Sequence, residues 1–111
     1  MEGVHRMISD SRAEAACEFI RDNAKRHGQL KALVLFSEYK IKRARAQAFL
    51  AADGTVAERE AKAWVVPEVW TAVEEQRDAT ADETMLRDQI EAANLTFETW
   101  RTQQANQRKG M

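Results

Sequence analysis

Proline occurs once among the 111 residues of this chain, at Pro67, and glycine four times, at Gly3, Gly28, Gly54 and Gly110. Inside a helix a proline costs about 3 kcal/mol and a glycine about 1 kcal/mol, so breakers this sparse leave two long stretches free to stay helical. These are residues 11–52, weakened only at Gly28, and residues 67–108, which hold no breaker after Pro67 itself. At about 1.5 Å per residue each would reach roughly 60 Å. Glycines so far apart exclude a phosphate-cradling loop. Cys17 is the single cysteine, which excludes an internal disulfide and points to a reducing compartment, the cytosol. His5 and His27 are the only histidines, and neither has a second histidine or a cysteine at zinc-ligand spacing. No segment approaches the roughly 18 uncharged residues of a membrane span, and residues 1–10 lack the apolar run of an export signal, so no membrane is expected as a partner.

What the chain does hold is alanine and charge. Leu, Ile, Val and Phe number 21, little for a packed core, while 19 alanines favour helix. Residues 1–111 therefore read as one all-α domain with a thin core. It has a flexible start over residues 1–10, a long helix over 11–52 with a candidate kink at Gly28, a short helix over 55–65 and a long helix over 67–108. Folding the two long helices against each other gives an elongated, antiparallel, coiled-coil-like hairpin. Each helix buries one stripe in such a hairpin, and apolar surface left over calls for another copy, so a homo-oligomer is expected.

Punctuation supports this order. Ser11 and Glu14 form a capping-box pattern at the start of the first helix, and Thr55 and Glu58 form another after the Asp53-Gly54 turn. Pro67 disfavours helix at Val66 and suits the first position of the next helix. The first helix carries an apolar stripe through Ala16, Ile20, Ala24, His27, Leu30, Val34, Ile41, Ala44 and Ala48, which Leu33, Phe36, Phe49 and Leu50 widen. In the last helix Leu86, Ile90, Ala93, Phe97, Trp100 and Gln104 follow in steps of four and three, a packing seam and the oligomer seam in this reading. It fades over residues 74–84, where Ala79 and Ala81 are the only apolar side chains. Trp64, Val66, Val69 and Trp70 are read as the core of the corner between the second and third helices.

No constellation for catalysis emerges. Cys17 has no histidine at three or four residues on either side and reads as packing. Glu58, Glu60 and Glu91 read as solvated helix carboxylates. No catalytic residue, metal ligand or cofactor is assigned, and the chain reads as a non-enzyme. The net charge of −1 hides an asymmetry: residues 1–52 hold ten Lys/Arg against six Asp/Glu, residues 53–98 four against twelve, and residues 99–111 three against none. Lys40, Lys42, Arg43 and Arg45 could pair with Glu74, Glu75 and Asp78 in a hairpin, or meet the phosphates of single-stranded DNA or an acidic partner. Arg101, Arg108 and Lys109, following Trp100, are candidates for the same contacts.

The tail Thr96-Phe97-Glu98-Thr99-Trp100-Arg101, running on through Ala105-Asn106-Gln107-Arg108-Lys109-Gly110, resembles the ending of small, mostly uncharacterised helical proteins of tailed bacteriophages. So does the corner Gly54-Thr55-Val56-Ala57-Glu58-Arg59-Glu60-Ala61-Lys62-Ala63. His27 and Gly28 depart from the long first helix of such proteins. Their genes often stand among replication and recombination genes, so the resemblance implies an accessory factor in the host cytosol. Its role would lie beside single-strand binding or annealing proteins, through contacts to another phage or host protein and, on the reading of the cations above, to single-stranded DNA. An alternative is an inhibitor of a host enzyme or defence system presenting its acidic span 68–91, and a third is a purely structural assembly protein.

Overall fold

The computed structural model describes residues 7–110; residues 1–6, with Gly3, His5 and most of the start read as flexible, lie outside the described residues, as does residue 111. The described chain is all-helical: α1 spans Asp10–Ala51, α2 Val56–Val65 and α3 Pro67–Lys109, and no strand occurs among the described residues. Two compact units are formed, Met1–His27 with Met85–Met111, and Gly28–Thr84.

In the first unit, α1 opens one cap earlier than Ser11. The Ser9 hydroxyl accepts from the Arg12 N–H at 3.2 Å, and the Ser9 carbonyl accepts from the Ala13 N–H at 3.1 Å. Ser9 wins because Asp10 joins the first turn, where its negative charge favours the helix N-terminus. Ala13 and Ala16 are buried, and Ile20, Asn23 and His27 are half-buried behind them. On α3 Leu86 is buried while Ile90, Ala93, Phe97, Trp100 and Gln104 are half-buried. Two bonds join the start of α1 to the end of α3: the Ile8 N–H donates to Gln103 Oε1, and Trp100 Nε1 donates to Asp10 Oδ1, each at 2.8 Å. Phe97 packs on Trp100 with ring centroids 5.7 Å apart.

In the second unit the inward side of α1 is Leu30, Val34, Ser37, Ile41, Ala44 and Ala48, and that of α3 is Val69, Ala72, Gln76, Ala79 and Glu83, all buried or half-buried. Both sets advance in alternate steps of three and four. The inward row of α3 thus continues through residues 74–84, where the sequence reading has it fade. Gln76 and Glu83 hide the pattern, while Ala79 is buried and Ala81 faces out. Ser37 occupies the α1 row because its hydroxyl donates to the Leu33 carbonyl at 2.8 Å, satisfying the group without a distant partner. Gly28 lies inside α1, which runs on through it.

The corner follows from three residues. Gly54 has φ +116°, a conformation L side chains rarely adopt. Thr55 caps α2 by accepting from the Glu58 N–H at 3.2 Å. Val66 is extended at φ −73°, ψ 141°, as its position before Pro67 requires. Val69, 1% exposed, is the corner's core, with Ala63 and the half-buried Val66. Trp64 and Trp70, read as part of that core, are instead 50% and 61% exposed. Each directly follows a buried residue, and one helical step of about 100° turns it off the inward side.

Candidate binding site

The end of α1 needs partners for its last carbonyls, and it has no basic residue of its own in that turn. Cations from α2 supply them. Arg59 Nε donates to the Phe49 carbonyl at 3.2 Å, and its guanidinium lies 4.3 Å from the Phe49 ring centroid. Just beyond the helix, Lys62 Nζ donates to the Asp53 carbonyl at 2.8 Å. From the other side Arg45 of α1 lays its guanidinium 4.0 Å from the Trp64 ring centroid. These stacked cation–ring pairs hold α2 on α1, each contributing about 1 kcal/mol where partly desolvated.

A cleft of about 460 Å³ opens between the two helices, lined by Lys42, Arg45, Ala46, Phe49, Leu50, Glu60 and Ala63. Its lining is apolar apart from two cations, Lys42 and Arg45, and one carboxylate, Glu60. Along α1 the cleft continues into a row of exposed side chains, Leu35, Tyr39 and Leu50 among them, with Lys42 Nζ 5.5 Å from the Tyr39 ring centroid. Leu33, Phe36 and Leu50, read as widening the packing stripe, are exposed as well. The sequence signal for this second face was available: Leu35, Tyr39, Ala46 and Leu50 recur in steps of four and seven, about half a turn away from the inward row. A further cleft of about 390 Å³ is lined by Ala44, Gln47, Ala48, Ala51, Ala52, Lys62, Val66 and Glu68.

The four cations of α1 are not equivalent. Lys40 is ion-paired with Glu75 of α3. Arg45 is half-buried on Trp64, and its Nε is buried without a hydrogen-bond partner, so it serves the junction with α2 more than a solvent-borne ligand. Lys42 and Arg43 are exposed and carry the outward positive charge of this segment. In the first unit, Arg101 donates to Glu98 at 3.2 Å, while Arg108 and Lys109 stand exposed in the last turn of α3. A surface hollow of about 290 Å³ is lined there by Glu98, Trp100, Arg101, Thr102, Gln104, Ala105 and Arg108. Trp100, weighed as a base-stacking platform, is half-buried and hydrogen-bonded to Asp10.

Cys17 is half-buried in α1. Among the described residues no three His, Cys, Asp or Glu side chains are grouped to hold a metal ion, and no helix is long and apolar enough to cross a membrane. The molecule thus belongs, by architecture, to the all-helical proteins, with a largely apolar cleft between α1 and α2 that Lys42, Arg45 and Glu60 also line. No protein-family model matches the chain, and no curated protein or solved structure matches it either.

Proposed function

We propose that this chain is a non-enzymatic accessory protein of the kind tailed bacteriophages encode near replication and recombination genes, working in the host cytosol by binding. Its partners in this reading are copies of itself, another phage or host protein, and single-stranded DNA. The coiled-coil-like hairpin of α1 and α3 is part of the same proposal. The observation that carries it is the interleaving of exposed rings and aliphatics with cations in the second unit: Tyr39 is 60% and Leu50 74% exposed beside Lys42 and Arg43. Apolar surface of that extent is costly to leave in water and marks an interaction face. Rings next to cations suit a single strand, whose bases stack while its phosphates pair.

Retention of a labelled single strand across a salt series tests the nucleic-acid part. Binding should weaken steeply as salt rises, and Lys42→Glu with Arg43→Glu should flatten the log–log slope by about 1.4, the share of two phosphate contacts on a single strand. Retention that ignores salt, or is unchanged in the double variant, sinks that part. A second reading, an inhibitor presenting the acidic span 68–91, draws on Trp70, an exposed ring between Glu68 and Glu74. It predicts a protein that ignores DNA at any salt and loses its target when Trp70→Ala is introduced.

A further inference from the structure

We propose that α2 is a strap that lifts off α1 as a unit while the inward rows of α1 and α3 stay packed, and that its docking withholds Arg45 from the outward cations Lys42 and Arg43. The regulatory part rests on the reading of those cations as phosphate contacts and names what holds one of them back.

Both ends of α2 are joints. Gly54 has φ +116° before it and Val66 is extended at φ −73°, ψ 141° after it, so α2 continues neither long helix. Little apolar burial lies between the joints. Ala63 is the one buried residue of α2, whereas Val56, Trp64 and Val65 are exposed. By contrast, Leu30, Val69, Ala72 and Ala79 are all buried along the inward rows of α1 and α3. A helix of ten residues has little stability away from its support, so α2 depends on its contacts to α1.

Those contacts are made by cations. Arg59 Nε and Lys62 Nζ donate to the Phe49 and Asp53 carbonyls, and the Arg45 guanidinium stacks on Trp64. The last of these carries a cost. Docking leaves Arg45 Nε buried without a hydrogen-bond partner, and a stranded donor favours any opening that lets water reach it. The cleft of about 460 Å³ is lined by Glu60 and Ala63 of α2, and that of about 390 Å³ by Lys62 and Val66, so hollows border α2 along two of its sides. With α2 lifted, Arg45 leaves Trp64 and joins Lys42 and Arg43 as a third cation for phosphate.

Amide hydrogen exchange of the full chain in low urea, read residue by residue by NMR, tests the strap. Amides 59–65 should share one opening free energy, lower than that of Ala72 and Ala79 and falling with urea, the mark of a segment that opens together. The Arg45 Nε proton should exchange along with them. Arg59→Ala with Lys62→Ala should speed exchange at 59–65 by about tenfold or more, the effect of losing a hydrogen bond made by a charged group. Leu30→Ala should speed exchange at Ala72 and Ala79 and leave 59–65 as they are, because its packing survives the lifting of α2. For the regulatory part, Ala63→Gln, or Trp64→Ala should the first fail to fold, should release Arg45. Either should steepen the log–log salt slope of single-strand retention by about 0.7, one further phosphate, and adding Arg45→Gln should restore the wild-type slope.

Amides 59–65 that open only together with Ala72 and Ala79, or that fray one by one without responding to urea, overturn the proposal. So does a releasing variant that binds strands with the wild-type slope. A chain whose α2 opens as a unit, with the Arg45 proton, but that retains no strand at any salt leaves the strap standing and removes the nucleic-acid part of the proposed function. A strand-binding chain whose α2 never opens by itself does the reverse.

Discussion

Val65 and Val69 are four residues apart and chemically identical, yet Val69 is 1% exposed and Val65 79%. Val65 ends α2, whereas Val69 stands in the first turn of α3 on its inward side. Removing two methyl groups from a closed site forfeits their transfer energy and leaves a void, whereas removing them from an open site does neither. Val69→Ala should therefore destabilise the chain by about 2 kcal/mol and Val65→Ala by less than about 0.5 kcal/mol, read from urea midpoints at an unchanged slope. The same contrast explains the tryptophans. A ring as large as Trp64 or Trp70 reads as core by size alone, but the inward positions beside them are taken by Ala63 and Val69, small enough for helices to approach closely. Arg45 then covers one face of Trp64 instead of a hydrophobic neighbour.

Among the elements, α1 and its exit turn make two glycines behave oppositely. Gly28 lies in the helix interior, and a β-carbon built there meets nothing within 4 Å. Gly28→Ala should raise stability by about 1 kcal/mol, since alanine restricts the unfolded chain and favours the helix. At Gly54, φ is +116° and the added carbon would stand 2.5 Å from Glu58 Oε2. Gly54→Ala should lower stability by about 1 kcal/mol or more, through backbone strain and by displacing Glu58 from beside the α2 cap. Denaturant titration of both variants beside the wild type checks the signs. The three helices were legible in the sequence because Pro67, Asp53-Gly54 and the Thr55 cap act locally. The start of α1 was misplaced because Ser9 and Ser11 are equally good acceptors, and the choice turns on which lets Asp10 into the first turn. The inward row of α3 was legible from Leu86 to Gln104, where apolar types mark it. It was hidden at Gln76 and Glu83, because periodicity in residue type cannot reveal a polar side chain half-buried on the same row. Of the candidate site, the cations were found but not their roles: pairing of Lys40 with Glu75 and stacking of Arg45 on Trp64 are set by which neighbours the fold brings near.

For the molecule as a whole, apolar side chains stand exposed on the outside of α1 and at Trp70, and the self-association in the proposed function would turn their burial into stability. Only the folded chain presents this surface, so association draws the folding equilibrium toward the native state by mass action. The midpoint of thermal unfolding should then climb with protein concentration, by a few degrees over a hundredfold range for a chain of this length. Leu35→Glu with Tyr39→Glu, which puts charge into that apolar surface, should unfold at a midpoint independent of concentration. It should coincide with the wild type at the dilute end, because both residues are exposed and neither belongs to the inward row. Differential scanning calorimetry at two concentrations for each protein reads both slopes. A wild-type midpoint that does not move with concentration would mean that Leu35, Tyr39 and Trp70 stay in water, and that apolar surface would then await a different chain.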